Sequence, residues 1–380
     1  MKNSLIALSV LILMISCKTE VKNSIDTTVS QTETNTTIKY ANGFKVDVYG
    51  DYKVITVTEA WQDSDKHFRY ALTEDKKNLP DSTAFDAVII LPIKEIVVTS
   101  TTHIPSLEML GVDSTLIGFP NLNYISSTKT RKRIKDGTIR ELGKNEDLNT
   151  EILIDLQPDV VVSFGVSGKN KTLDIIKNTG IPVVYNADWL ETSPLGKAEW
   201  IKFFGALYNK EKEADSIFNR IENRYNKAKE LALKSTNSPS VLSGSLYKDV
   251  WYAPAGKSWA AQFINDANGN YIWKKSNGTG SIQLSIESVL DKAQNAEFWI
   301  GPGYAKNLQQ MKEAHPVYTQ FEAFKNKKVF GFTNKTGETD GVLYFELGPN
   351  RPDLILKDLI KILHPELLPR YNLTFFNTFE

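Results

Sequence analysis

The sequence of 380 residues holds a single cysteine, Cys17. No internal disulfide can form, so the fold rests on an ordinary apolar core. Charge of one sign is also missing: 45 Lys and Arg stand against 45 Asp and Glu. No net field draws the chain to nucleic acid or to an anionic membrane. Histidine is scarce, and His67, His103, His315 and His364 lack the short spacings, such as HxH or HExxH, by which proteins hold bare zinc or manganese. His103, at a strand end, lies nearest the expected site. There is no GxSxG, no Walker A sequence, no glycine fingerprint in a first βα turn and no thiol beyond Cys17. Without a nucleophile and a paired base, no enzyme is expected.

Long apolar runs are absent with one exception. Leu5 to Ile15 follows Lys2 and has the length of a secretory leader's core, too short to span a bilayer. The run closes on Met14, Ile15, Ser16 and Cys17, the place where lipoprotein leaders are cut and the new N-terminal thiol is acylated. Residues 1–16 are therefore expected to be a signal peptide and Cys17 the lipidation site. The exported chain would be held by lipid alone at the periplasmic face of the cytoplasmic membrane, with the outer membrane or cell surface as alternatives. Residues 17–37, rich in Thr, Asn, Ser, Lys and Glu, read as a tether with too little apolar surface to order itself.

Past the tether the patterning changes. From Phe44 to Leu72 apolar residues take every second position, with Gly50-Asp51 as a turn, which predicts antiparallel strands within a β extension over 38–92. Over 93–192, near-continuous apolar runs alternate with helical periodicity: "IKEIVVTS", "THIPSLEMLGV" with Pro105 in a first turn and Gly111 at the stop, "STLIGF", "NKTLDIIKNTG" and "IPVVYN". Ser193-Pro194 opens a helical segment over 193–235. Its apolar spacings of three and four are interrupted near Asn209, then sustain one helix of roughly 37 Å from Lys210 to Lys234. A second alternation fills 236–380: strand "SVLSGSLY", helices after "APAGKSW" and at Ser285 to Ala293, strands "AEFWIG" and "KVFGF", and a last helix from Arg351 to Leu363. The expected class is α/β: two Rossmann-like lobes joined by a single long helix, with a small N-terminal β element.

One phrase is written twice. "DLNTEILIDLQPDVVVSFG" begins at Asp147 and "QLSIESVLDKAQNAEFWIGPG" at Gln283; each runs Leu, two residues, Glu, three residues, Asp, then an apolar run closing on Gly. Glu151 and Glu287 fall near helix starts, with Asn149 and Ser285 as expected N-caps. A carboxylate there gains about 0.3 to 1 kcal/mol from the helix dipole, which explains the pattern without a partner. Two lobes related by a pseudo-repeat would equally present one carboxylate each to a partner that is itself two-fold.

"VVTSTTHIPSLEMLGVDSTLIGF", "LNTEILIDLQPDVVVSF", "TGIPVVY", the long helix, "DVWYAPAGKSW", "SIESVLDKAQNAEFWI" and "GPNRPDLILKDLIKIL" together resemble the substrate-binding proteins of ABC importers for cobalamin and ferric siderophores, the class III periplasmic binding proteins. The resemblance runs from about Ile93 to about Leu363. It implies a ligand cleft between the lobes and a monomer whose opening is limited by the backbone helix. It further implies an ABC permease dimer with its ATPase as partner, and one acidic residue per lobe docking on permease arginines; by motif these are Glu151 and Glu287. The ligand implied is a metal chelate, a ferric siderophore or cobalamin, with haem left open, and no resident cofactor or bare metal.

Such a ligand needs aromatic faces and a few directed donors, placed after the C-terminal ends of strands. Tyr124, Trp189, Tyr247, Trp251, Tyr252 and Tyr304 answer to that as a group, although each taken singly reads equally well as packing under its own loop. Arg131, in the basic run "TKTRKRIKDG" read as a loop, is either a solvated charge or a clamp for an anionic ligand group. Arg351, opening the last helix after "ELGPN", is a further ligand-binding candidate. The N-terminal β element either covers a sheet edge or contributes to ligand choice. A different function stays open: a lipoprotein that captures haem or a corrinoid as a sensor or for an outer-membrane receptor, without an ABC permease.

Overall fold

The computed structural model describes residues 37–145 and 147–380; the leader and Cys17 lie outside the described residues. The first strands, β1 (Phe44–Tyr49) and β2 (Tyr52–Val57), form a hairpin around Gly50, whose φ of +56° suits a residue without a side chain. Strand β3 (Phe68–Thr73) continues it antiparallel, and β4 (Ala87–Ile90) joins in parallel.

The N-lobe follows as β5 (Ile96–Val98), α1 (His103–Met109), β6 (Leu116–Phe119), α2 (Thr128–Lys135), β7 (Arg140–Glu141), the short antiparallel pair β8 (Gly143–Lys144) and β9 (Asp147–Leu148), α3 (Thr150–Leu156), β10 (Val160–Ser163), α4 (Lys171–Asn178) and β11 (Val183–Tyr185). Its parallel sheet has the order β11-β10-β5-β6-β7. Strands β5 and β10 are buried along their length because both faces are covered, which is why their sequences do not alternate.

Three helices lead out of this lobe: α5 (Pro194–Glu199), α6 (Ile201–Leu207) and α7 (Glu211–Ala232). Ser193 caps α5 with Pro194 at its first position, and Asn209, at φ +55°, separates α6 from α7. At 22 residues α7 is about 33 Å long. Its buried face splits between two cores: Ala214, Phe218 and Ile221 pack in the N-lobe, Tyr225, Ala228 and Ala232 in the C-lobe. One rigid helix thus belongs to both lobes.

The C-lobe comprises β12 (Ser240–Ser243), β13 (Ser245–Tyr247), β14 (Val250–Pro254), α8 (Trp259–Asp266), β15 (Asn270–Tyr271), β16 (Ser281–Leu284), α9 (Ile286–Ala293), β17 (Phe298–Ile300), α10 (Leu308–Ala314), α11 (Glu322–Lys325), β18 (Val329–Gly331), α12 (Leu343–Leu347), α13 (Pro352–Leu363) and β19 (Asn377–Thr378). The main sheet has the order β15-β12-β17-β18-β19, parallel except at β19, and a separate antiparallel sheet has the order β13-β14-β16. "SVLSGSLY" is therefore two strands in two sheets, not one. Gly244, at φ +93°, turns the chain between them, and a Cβ there would stand 2.0 Å from the Tyr252 carbonyl oxygen.

The repeated phrase folds the same way twice. In each lobe a short antiparallel strand (β9, β16) leads to a capped helix (α3, α9), then to a parallel strand (β10, β17) beside the lobe's first strand (β5, β12). No helix among the described residues is long and apolar enough to cross a membrane.

Candidate functional site

The lobes meet through segments that follow the C-terminal ends of N-lobe strands. The Ser106 hydroxyl donates to Asn350 Oδ1 at 2.8 Å, and Asn350 Nδ2 donates to the Thr102 carbonyl at 2.8 Å. The Ser126 and Ser127 N–H groups donate to the Glu346 carboxylate at 2.6 and 2.9 Å. Gly341 approaches the Tyr124 carbonyl so closely that a Cβ would stand 2.3 Å away. Open α/β sheets bind ligands at this edge, outside the carboxyl ends of their strands.

Two buried titratable groups lie at this junction. Burial pushes the Glu346 carboxyl up to about 7, against the pull of the Ser126 and Ser127 donors. Burial pushes His103 down to about 4, opposed by Asp188, and neither ring nitrogen has a hydrogen-bond partner among the described residues. The consequences for stability have opposite signs. Glu346 keeps its proton in the fold where the unfolded chain has lost it, so its contribution is full below about pH 4.5 and is lost as pH rises through about 7. His103 stays neutral in the fold where the unfolded chain is protonated, so its contribution is present above pH 6.5 and is lost as pH falls toward about 4. Between these limits the two slopes oppose each other. His103→Leu removes one of them: its stability relative to the parent should rise by on the order of 2 kcal/mol from pH 7 to pH 5, measured as the difference in urea unfolding free energy. Parallel pH curves for parent and variant would contradict a neutral, buried His103.

A cavity of about 590 Å³ lies at the C-terminal ends of β12 and β17, lined by Tyr247, Tyr252, Tyr304, Pro302, His315 and Tyr318 among others. Tyr247 and Tyr252 meet edge to face at 6.4 Å, and the Tyr318 hydroxyl accepts the Leu246 N–H at 2.8 Å, fixing the wall behind them. Large aromatics left in water at a cavity mouth offer apolar contact at low entropic cost. In the N-lobe a cavity of about 480 Å³ opens at the ends of β10 and β11, with Ser163, Ser167, Lys169, Asn170 and Tyr185 in its wall. The C-lobe cavity is walled mainly by aromatic rings, whereas the N-lobe cavity mixes Phe164, Val166 and Leu173 with Ser167, Lys169 and Asn170; a part-apolar, part-polar solute requires both kinds of surface.

The structure brings Tyr247, Tyr252 and Tyr304 together in the C-lobe cavity. Tyr124 and Trp189 stand exposed in short turns after β6 and β11. Trp251 is a correction: it is 0% exposed, against 37% for its neighbour Tyr252. The sequence places both after a strand end, but β14 is itself a strand, and successive side chains of a strand point to opposite faces. Arg131 is a second correction. Capped by Ser127, the basic run forms α2, and Arg131 lies on its buried face with Nη1 donating to the Leu122 carbonyl at 2.7 Å. Its neighbour Arg133 donates to the carbonyls of Asp113, Ser114 and Leu116. These guanidinium groups tie loops together and present no clamp. Arg351 is spent on a two-point pair with Asp353, at 2.8 and 2.9 Å. The contacts to the other lobe come from its neighbours Asn350 and Glu346, which no spacing or motif distinguishes from surface polar residues.

Glu151 and Glu287 are exposed in the first turns of α3 and α9. Asn149 Oδ1 accepts the Ile152 N–H and the Ser285 hydroxyl accepts the Ser288 N–H, so both helices carry the expected caps. At Glu287 its own backbone N–H and the Ser285 hydroxyl hold the carboxyl below its ordinary range. Among the described residues no group of three or more His, Cys, Asp and Glu could hold a metal ion.

The profile of the periplasmic binding protein family matches residues 96–336. An uncharacterised lipoprotein of Methanocaldococcus jannaschii is 33% identical over 298 residues, covering 76% of this chain and 69% of that protein. Among solved structures, a possible iron-binding, periplasmic solute-binding protein from Staphylococcus epidermidis superposes with a TM-score of 0.56 at 20% identity, covering 72% of this chain and 99% of that one. A periplasmic heme-binding protein from Pseudomonas aeruginosa does so with a TM-score of 0.58 at 15% identity, covering 76% and 99%. A family match over well over half of the sequence, on two α/β lobes joined by one helix, means that the chain belongs to the periplasmic binding protein family, whose members bind solutes and are not enzymes.

Proposed function

We propose that this protein is the lipid-anchored, extracytoplasmic binding component of an ABC importer, capturing a metal chelate between its lobes and handing it to a permease. The observation that carries the ligand class is the exposed group Tyr247, Tyr252 and Tyr304 around a cavity of about 590 Å³, facing away from the core at the sheet's carboxyl edge. An apolar ring face or macrocycle stacks on such a wall, and Ser167, Lys169 and Asn170 of the N-lobe cavity take the peripheral oxygens. Ferric siderophores, cobalamin and haem all have that character. The printed descriptions of the structural relatives, iron-binding and heme-binding, support the same class, and a lipoprotein relative supports anchoring at Cys17.

Delivery needs orientation more than strength. An exposed ion pair contributes about 0.2 to 1 kcal/mol, and Glu151 with Glu287, one per lobe at equivalent helix starts, would set the docked geometry on a two-subunit permease. Titrating the form cut after Cys17 with cobalamin, ferric siderophores and haem, while following tryptophan fluorescence, tests the ligand class; no response to any of the three overturns it. The double variant Glu151→Ala, Glu287→Ala should lower uptake at limiting ligand between about 2-fold and 30-fold while ligand affinity stays unchanged. Equal loss of affinity and uptake would assign those carboxylates to folding and not to docking.

A further inference from the structure

The loop between β2 and β3 leaves the N-terminal sheet and lies against the residues that line the N-lobe cavity. Trp61, on that loop, meets Phe68 edge to face at 5.6 Å and Tyr185 at 5.8 Å. Its other contacts are with the loop after β10. A Cβ on Gly165 would stand 2.7 Å from the Ala60 carbonyl oxygen and 3.0 Å from Trp61 Cε3, and a Cβ on Gly168 would stand 3.1 Å from Trp61 Cζ2. Two glycines thus leave the room that the indole and its backbone occupy. The loop they belong to lines the cavity through Phe164, Gly165, Val166, Ser167, Lys169 and Asn170, and Tyr185, which Trp61 also touches, lines it too.

Little else holds this loop. Among the described residues, 164–169 donate no backbone hydrogen bond, and the bonds they accept are local: the Ser163 hydroxyl to the Phe164 carbonyl and the Ser167 hydroxyl to the Lys169 carbonyl, each at 3.3 Å. Tyr185 is tied to the same N-terminal sheet, its N–H donating to the Tyr70 hydroxyl at 3.0 Å. A segment with few bonds of its own takes its geometry from what packs against it.

We propose that Trp61 is a positioning residue for ligand binding: from the N-terminal sheet it sets the loop 164–170 as the N-lobe wall of the cleft without itself touching the ligand. The N-terminal sheet is then part of the binding apparatus, beyond its share in the core. The inference rests on the reading of the cleft as the ligand site, and its test has one arm that needs no ligand.

Hydrogen exchange of the full chain in detergent, comparing parent, Trp61→Ala, Trp61→Phe and Val54→Ala, reads the wall directly. Val54 is a buried residue of the same sheet and serves as the control for general loosening. Trp61→Ala should speed exchange about tenfold at Leu173 and Asp174, whose N–H groups bond to Asn170 at the end of the loop, Trp61→Phe should restore most of the protection, and Val54→Ala should leave those amides alone. In the second arm haemin, cyanocobalamin and ferrioxamine are titrated. Whichever binds the parent should bind Trp61→Ala about 5- to 10-fold more weakly, with Trp61→Phe close to the parent. Unchanged exchange at Leu173 and Asp174 in Trp61→Ala, equal acceleration by Val54→Ala, or undiminished affinity each overturns the proposal. If none of the three compounds binds the parent, the ligand class fails and the exchange arm alone decides the role of Trp61.

Discussion

Glu199→Ala should destabilise the protein by about 3 to 5 kcal/mol, chiefly through the loss of three hydrogen bonds to a charged acceptor at about 1.5 kcal/mol each. Glu199 is 0% exposed, and its carboxylate accepts the N–H groups of Lys39 at 2.9 and 3.0 Å, Tyr40 at 2.6 Å and Ala41 at 3.0 Å. It also pairs at 3.0 Å with Lys202, itself 2% exposed, whose ammonium group donates to the Thr37 carbonyl at 2.7 Å. Truncation orphans three backbone donors and takes from the ammonium one of its two carboxylate partners, the other being Asp215 at 3.2 Å. Urea unfolding monitored by circular dichroism gives the number. A Glu199→Ala midpoint equal to the parent's would mean that Glu199 does not hold residues 39–41 to the body.

Glu191 does for Asn42 and Gly43 what Glu199 does for the residues before them, accepting their N–H groups at 2.8 and 2.9 Å together with the indole N–H of Trp200 at 3.0 Å. Tyr40 donates its hydroxyl to Glu222 of α7 at 2.7 Å and packs against the cores of both lobes. The described chain therefore enters the folded body along the helix shared by the lobes.

What could be read from the residues was what depends on local chemistry. The buried parallel strands announced themselves as apolar runs, Ser193-Pro194, Asn149 and Ser285 as caps, and Asn209 as the break before the long helix, because each is a property of a few adjacent residues. The lobe junction was not legible. Asn350 reaches Ser106 across 244 positions and Glu346 reaches Ser126 across 220, and a buried Glu looks in sequence like any exposed one. Arg131 misled for the same reason: a run of charges suggests solvent, yet the cap at Ser127 wound it into a helix whose inner face needed a donor for the Leu122 carbonyl. The N-terminal sheet resisted assignment because its role depends on Gly165 and Gly168, a hundred residues away, leaving room for Trp61.

Trp251 and Tyr252 allow the sharpest separation of fold from binding, since they are adjacent and face opposite ways. Trp251 sits among Trp299, Tyr318 and Phe321, with ring centroids at 5.3, 5.9 and 5.7 Å, and its indole N–H donates to the Ser243 carbonyl at 3.1 Å. Trp251→Ala should cost about 3 to 5 kcal/mol through lost burial and the cavity left behind, with the Ser243 carbonyl orphaned as well. Tyr252→Ala, on the exposed side of the same strand, should change stability by no more than about 0.5 kcal/mol yet weaken ligand binding about tenfold by removing one face of the aromatic wall. Urea midpoints and ligand titrations on the two variants should therefore show opposite patterns. If Tyr252→Ala unfolded the lobe while Trp251→Ala only weakened binding, the strand would be in the other register, because a shift of one residue along β14 exchanges every side chain between core and cavity.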